Sequence, residues 1–124
     1  MKILDKIIEE TKNGSLKWEA VDRLPDYCKY SNEGLDSISV IYAAAKEANE
    51  KSLELLLLEG AVREWVDVLE EERLYESYCL IVIVDKVVSN IITRNDLSNK
   101  YMLNILANNV KTMIASDIEN DFFS

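Results

Sequence analysis

Apolar residues return at three- and four-residue steps along most of this chain, a period that predicts helices. Over residues 3–11, Ile3, Leu4, Ile7 and Ile8 share one face, with Asp5, Lys6, Glu9 and Glu10 opposite. Asn13-Gly14 stops that helix, and Ser15 is placed to cap a second one over 16–24, which carries Leu16, Ala20 and Leu24 beside Trp18 and Val21. Pro25 ends or kinks it, 26–30 has room for one more turn, and 31–34 read as a turn. A third helix over 35–48 points Leu35, Ile38, Ile41, Tyr42 and Ala45 inward, and its Ala43-Ala44-Ala45 run admits a close neighbour. Asn49 is placed to cap a short helix over 50–58, Glu59-Gly60 breaks it, and 61–72 follows with Val62, Trp65, Val66 and Leu69 inward.

The segment 74–94 admits two readings. Leu80-Ile81-Val82-Ile83-Val84 has the composition of a buried strand. Asp85, Lys86, Ser89, Asn90 and Thr93, however, recur at helical steps, and no turn residue interrupts 75–93, so one long, mostly buried helix is the expectation. Asn95-Asp96 makes the last turn, with Asp96 a cap for a helix over 97–118. The tail 117–124 holds Asp117, Glu119 and Asp121, then Phe122-Phe123, which are expected to dock on the domain. The predicted architecture is all-α: one domain spanning 1–124, with six or seven antiparallel helices in a compact bundle or a short HEAT-like α-solenoid. A weak echo supports the solenoid, since Trp18-Glu19-Ala20-Val21-Asp22 and Trp65-Val66-Asp67-Val68 lie 47 residues apart. Both tryptophans sit on apolar faces and read as packing residues.

Composition supports long unbroken elements, because 124 residues include only three Gly and one Pro. Charge then changes the picture. The chain carries a net charge of −9, and the stretch 59–76 holds seven acids against Arg63 and Arg73. On the predicted helix, Glu64, Asp67 and Glu71 fall on one face, and like charges at that spacing cost a helix roughly 0.2–0.5 kcal/mol per pair. A fold gains nothing from such a stripe except solubility, whereas a protein that meets a basic partner gains steering. The same charge argues against direct contact with nucleic acid or an anionic membrane.

Candidate chemistry is sparse. With no histidine, imidazole catalysis and imidazole metal ligation are excluded. No glycine-rich phosphate loop occurs, and Cys28 and Cys79 lack neighbouring thiols for zinc, reading instead as buried free thiols of a reducing compartment, with a disulfide as the lesser alternative. The first residues lack a secretory apolar core, and the longest apolar run, 79–84, is far short of a membrane span, so a cytoplasmic protein without cofactor, metal or catalytic residue is expected. The candidate partner-binding surface comprises Glu64, Asp67, Glu70, Glu71, Glu72, Tyr75, Glu76, Tyr78 and Asp85. Tyr75 and Tyr78 flank Glu76 as candidate contact residues, with core covering as the alternative. Asp85 interrupts an apolar run and reads either as part of that surface or as an internal partner of a lysine.

The helical texture over 53–58, 62–69 and 80–92, with Glu70-Glu71-Glu72, resembles the α-helical immunity proteins of bacterial contact-dependent growth inhibition and related polymorphic toxin systems. That resemblance implies an inhibitor that binds one cognate basic toxin domain, often a nuclease, and covers its active site. A second expectation is a helical adaptor that takes a protein partner in an apolar groove. A third, weaker one is an enzyme built on paired carboxylates.

Overall fold

The computed structural model describes residues 2–28, 34–95 and 97–123, and over these it overturns the all-α expectation. Helix α1 (Lys2–Lys12) is followed by strands β1 (Glu19–Val21), β2 (Ser37–Ala48), β3 (Lys51–Val66), β4 (Glu71–Val84) and β5 (Val87–Ile92), then helix α2 (Leu97–Phe123). The five strands form one antiparallel sheet in sequence order, a meander, so there is no helical bundle and no solenoid.

Only the two ends keep their predicted form. α1 stops at Asn13-Gly14, where Gly14 takes a positive φ of 83° that suits glycine, and α2 runs on through the acidic tail. The helix expected over 16–24 is the short strand β1, and Ser15 donates its backbone N–H to Asn13 instead of capping a helix. The third predicted helix is β2, while the helices predicted over 50–58 and 61–72 become β3, a turn and the start of β4. The long helix over 75–93 is a hairpin of β4 and β5. The turn expected at 31–34 lies outside the described residues except for Gly34, the cap role of Asp96 falls outside them altogether, and the extra turn at 26–30 falls partly outside them.

Both faces of the sheet are covered, which explains why the strands lack a clean two-residue alternation. On one face Tyr42, Ala44, Leu55, Leu57, Tyr78, Leu80 and Val82 pack against Leu4, Ile7 and Ile8 of α1 and Leu103, Leu106, Ala107 and Val110 of α2. Trp18 is buried in this layer and donates from its indole nitrogen to Thr11 at 3.0 Å. On the second face Ile41, Leu56, Leu58, Val62, Cys79, Ile81 and Ile83 pack with Val21 of β1 and with Leu24, Cys28 and Leu35 of the β1–β2 connection. Cys28 and Cys79 are buried in that layer and are not joined in a disulfide. Each fully buried Leu or Ile of these layers contributes roughly 1.5–3 kcal/mol, more than the roughly 0.7 kcal/mol by which helix propensity separates ordinary residues.

Two turns close the hairpins without glycine. Asn49 and Glu50 join β2 to β3, and Asp85 and Lys86 join β4 to β5, all four with φ between 50° and 64°. Paired positive φ is the two-residue hairpin turn whose twist matches the strands. A non-glycine residue in that conformation is strained by roughly 1–2 kcal/mol unless it is Asn or Asp. Glu50→Gly therefore creates an Asn-Gly turn and is expected to raise the urea midpoint, by about 0.5–1 kcal/mol of stability. An unchanged or lowered midpoint would contradict the turn assignment.

Candidate functional site

The β3–β4 hairpin outgrows the sheet. β2 begins at Ser37, opposite Ala61, and β5 ends at Ile92, opposite Leu80. Beyond these limits β3 and β4 pair only with each other, through Val66 opposite Glu71, and form an arm projecting about 15 Å at 3.3 Å per residue. Its tip is the four-residue loop 67–70, in which Leu69 and Glu70 donate backbone N–H groups to Val66 and Asp67 and Glu70 takes a φ of 50°.

Strand register sorts the arm's side chains. On the face shared with the helices, Arg63 opposes Leu74 and Trp65 opposes Glu72; on the other, Val62 opposes Tyr75 and Glu64 opposes Arg73. Large apolar groups concentrate here in the open: Trp65 is 61 % exposed, Val68 93 %, Leu69 50 % and Leu74 66 %. Trp65 and Leu74 are diagonal neighbours on one face, close enough for an aromatic ring to bridge. Clustered exposed apolar residues rimmed by charge mark contact surfaces. Trp65 is therefore no packing residue, and it shares nothing with buried Trp18, so the repeat echo has no structural counterpart.

The predicted acidic stripe divides into paired and unpaired groups. Glu64 is held by Arg94, just past β5, and Glu71 by Arg73 at 2.7 Å. Glu76 meets Lys111 of α2 at 3.7 Å. Among the described residues, no ion pair reaches Asp67, Glu70 or Glu72, which surround the apolar tip. Tyr75 sits half-exposed on the arm, whereas Tyr78 is buried at its base. Asp85 is far from all of these. It caps the β4–β5 turn, accepting the backbone N–H of Ser52 at 2.9 Å while its own N–H donates to Ser52 at 2.9 Å. Ser52 lies twelve residues down β3 from Glu64, about 40 Å away at strand spacing. The structure therefore gathers Glu64 through Glu76 on one arm, places Tyr78 beneath it, and removes Asp85 to the other end of the sheet.

A polar lock at the arm's base was invisible in the sequence. Lys111 reaches Glu59, whose side chain is 15 % exposed, and donates to the Tyr78 hydroxyl at 3.0 Å; that hydroxyl in turn donates to Glu76 at 2.6 Å. Burial and the Glu76 contact push Tyr78 up to about 12, the Glu59 contact raises Lys111, and the Tyr78 hydrogen bond holds Glu76 low. Glu76, lowered on folding, contributes stability at neutral pH that is lost as pH falls through the carboxylate range. Lys111 and Tyr78, both raised, contribute stability that is lost as pH climbs past about 10. Lys111→Met leaves Glu59 buried without its cation and is expected to cost about 2 kcal/mol, less than the 3–5 of a fully buried pair because Lys111 is 39 % exposed. Urea unfolding at pH 7 measures it, and Glu59→Gln in the same chain should recover part of the loss. An unchanged midpoint in the single variant would contradict the lock.

Among the described residues, no cluster of three or more His, Cys, Asp or Glu is placed to hold a metal ion, and no helix is long and apolar enough to cross a membrane. Phe122 and Phe123, expected to dock, are 75 % and 80 % exposed on the last turn of α2. Comparison with protein-family models, with curated proteins and with solved structures finds no match for this chain, so the arm's geometry alone carries the functional argument.

Proposed function

We propose that this chain is a non-enzymatic binding protein of the cytoplasm that docks its β3–β4 arm into a concave, basic site of a partner protein. The carrying observation is the arm tip, where Trp65, Val68, Leu69 and Leu74 stand exposed among the unpaired carboxylates of Asp67, Glu70 and Glu72. Large apolar groups supply affinity once desolvated, and the carboxylates supply steering and choice of a cationic partner. A narrow projecting hairpin fits a cleft, and clefts house the active sites of enzymes that act on polyanions. The partner of this reading is therefore a basic toxin domain, of nuclease type, which the arm inhibits by occupying its active site. Support comes from the charge and shape of the arm; the helical texture behind the likeness to α-helical immunity proteins is absent from the fold.

The test looks in the adjacent reading frame for a secreted protein with a basic carboxy-terminal domain and pairs this chain with that domain. Co-expression should restore growth of cells producing that domain, and the purified proteins should form a one-to-one complex whose association slows with salt. A neighbouring frame without such a domain, or a domain whose toxicity is untouched, would overturn the toxin-inhibitor reading.

The second reading, an adaptor that binds through apolar contacts, draws on the exposed Ile118, Phe122 and Phe123 at the end of α2. It requires deletion of 117–124 to abolish binding, while the arm reading requires that deletion to leave binding largely intact.

A further inference from the structure

The end of the sheet opposite the arm holds a cavity of about 220 Å³ between α1 and the β2–β3 hairpin. Its floor is apolar: Ile7, Leu16 and Leu55 are buried, and Leu53 and Val84 are half-buried. Three lysines, Lys6, Lys46 and Lys51, line it against one acid, Glu10. Lys46 is engaged with Glu10 at 2.6 Å, while among the described residues no ion pair reaches Lys6 or Lys51. Within the lining itself cations outnumber acids, in a chain of net charge −9, while Glu47, Glu50 and Asp85 border the adjoining depression beside Lys51.

We infer that this cavity binds a small anionic amphiphile, an aliphatic tail of about seven carbons carrying a carboxylate head. The tail length follows from volume, since about seven groups fit at the roughly 30 Å³ that a water-sized group occupies in a liquid. The volume lies below the roughly 300 Å³ at which pockets begin to take drug-sized molecules. The tail lies on Ile7, Leu53, Leu55 and Val84, and the head stays at the mouth, where Lys6 and Lys51 reach it through flexible stems. A cationic head meets repulsion there, and a neutral head forgoes the ammonium groups.

The experiment titrates octanoate, octanol, octylamine and octyl phosphate, each below its micelle concentration, into the full chain. Methyl resonances of Ile7, Leu53, Leu55 and Val84 report the site. Octanoate is expected to shift them saturably and to bind at least tenfold more tightly than octanol, with octylamine weakest. Octyl phosphate binding tighter than octanoate would transfer the assignment from carboxylates to phosphate monoesters and overturn the head group proposed. Lys6→Glu with Lys51→Glu, both exposed positions outside the core, should weaken octanoate at least tenfold and leave octanol unchanged. No saturable shift with octanoate, equal affinity for octanol, or an indifferent double variant would each overturn the site. Arm variants leave these shifts unchanged, so this result stands or falls apart from the partner reading.

Discussion

Replacing Trp65, Val68 and Leu69 together by serine is expected to weaken partner binding at least a hundredfold while leaving the urea midpoint within about 0.5 kcal/mol of the wild type. All three side chains are at least half exposed in the free chain, so their truncation removes little native packing. In a complex the same groups are desolvated against the partner, where a few central aromatic and aliphatic anchors carry most of the affinity. A hundredfold loss corresponds to about 2.7 kcal/mol, within reach of one lost tryptophan anchor. Reversing Asp67, Glu70 and Glu72 to lysine acts differently, lowering the association rate and its salt dependence. Glu64, Glu71 and Glu76 are already matched by Arg94, Arg73 and Lys111, so neutralising them should matter less to the partner. Calorimetry and stopped-flow association on the two triple variants separate these roles. Full affinity in the serine variant would remove the apolar tip from the interface.

The second large effect belongs to the fold. Gly60→Ala is expected to destabilise the chain by about 3 kcal/mol or more, toward the upper end of overpacking costs. A Cβ at this position would overlap the Ser37 carbonyl oxygen and stand 2.9 Å from its carbon, both backbone atoms of β2. Ser37 opens β2 just before the register shift between Ile38 and Val40, so β2 folds closely over β3 there. No rotamer change relieves a backbone clash, so the start of β2 must move away and uncover the base of the arm. Urea unfolding of Gly60→Ala measures the loss, out of the roughly 5–15 kcal/mol a domain of this kind possesses. An unchanged midpoint would show that β2 does not cross Gly60 so closely.

Gly60 also marks where the amino-acid pattern misleads. Glu59-Gly60 reads as a helix break, yet it lies inside a sixteen-residue strand and is required by a neighbour that local sequence cannot reveal. Leu53, Leu55, Leu56, Leu57 and Leu58 are good helix formers, and Ala43-Ala44-Ala45 are better still, but sheet burial on both faces overrides that preference. The β-branched run over 80–84 carried the correct signal. It lost to a polar period that combines the Asp85-Lys86 turn with outward positions of β5, and no Gly announced the turn. Helix α1 and the start of α2 were legible because one amphipathic helix needs only its own period and a stop signal.

The candidate site was legible in its address more than in its form. The acidic concentration over 59–76 pointed to the segment that projects, although as a hairpin arm and not a helix face. Glu64 and Glu71 do share a face, with Arg73 between them, and Asp67 belongs to the tip instead. The apolar tip is hidden in the sequence because Trp65 and Leu69 read as the inward side of a helix. On the projecting hairpin both face water, Trp65 61 % and Leu69 50 % exposed, with Val68 beside them at 93 %. The lock between Glu59, Tyr78 and Lys111 joins residues up to 52 positions apart, and only tertiary structure brings them together.

Hydrogen exchange of the free chain and of its complex with the basic domain tests the arm most directly. Among the described residues no strand pairs with the arm edges at 62–66 and 71–79, so their outward amides, apart from that of Arg63, which donates to Asp36, exchange readily in the free chain. Strong protection over 65–76 is expected on complex formation, with 117–123 unchanged. Protection confined to 117–123, with the arm exchanging as before, would contradict it.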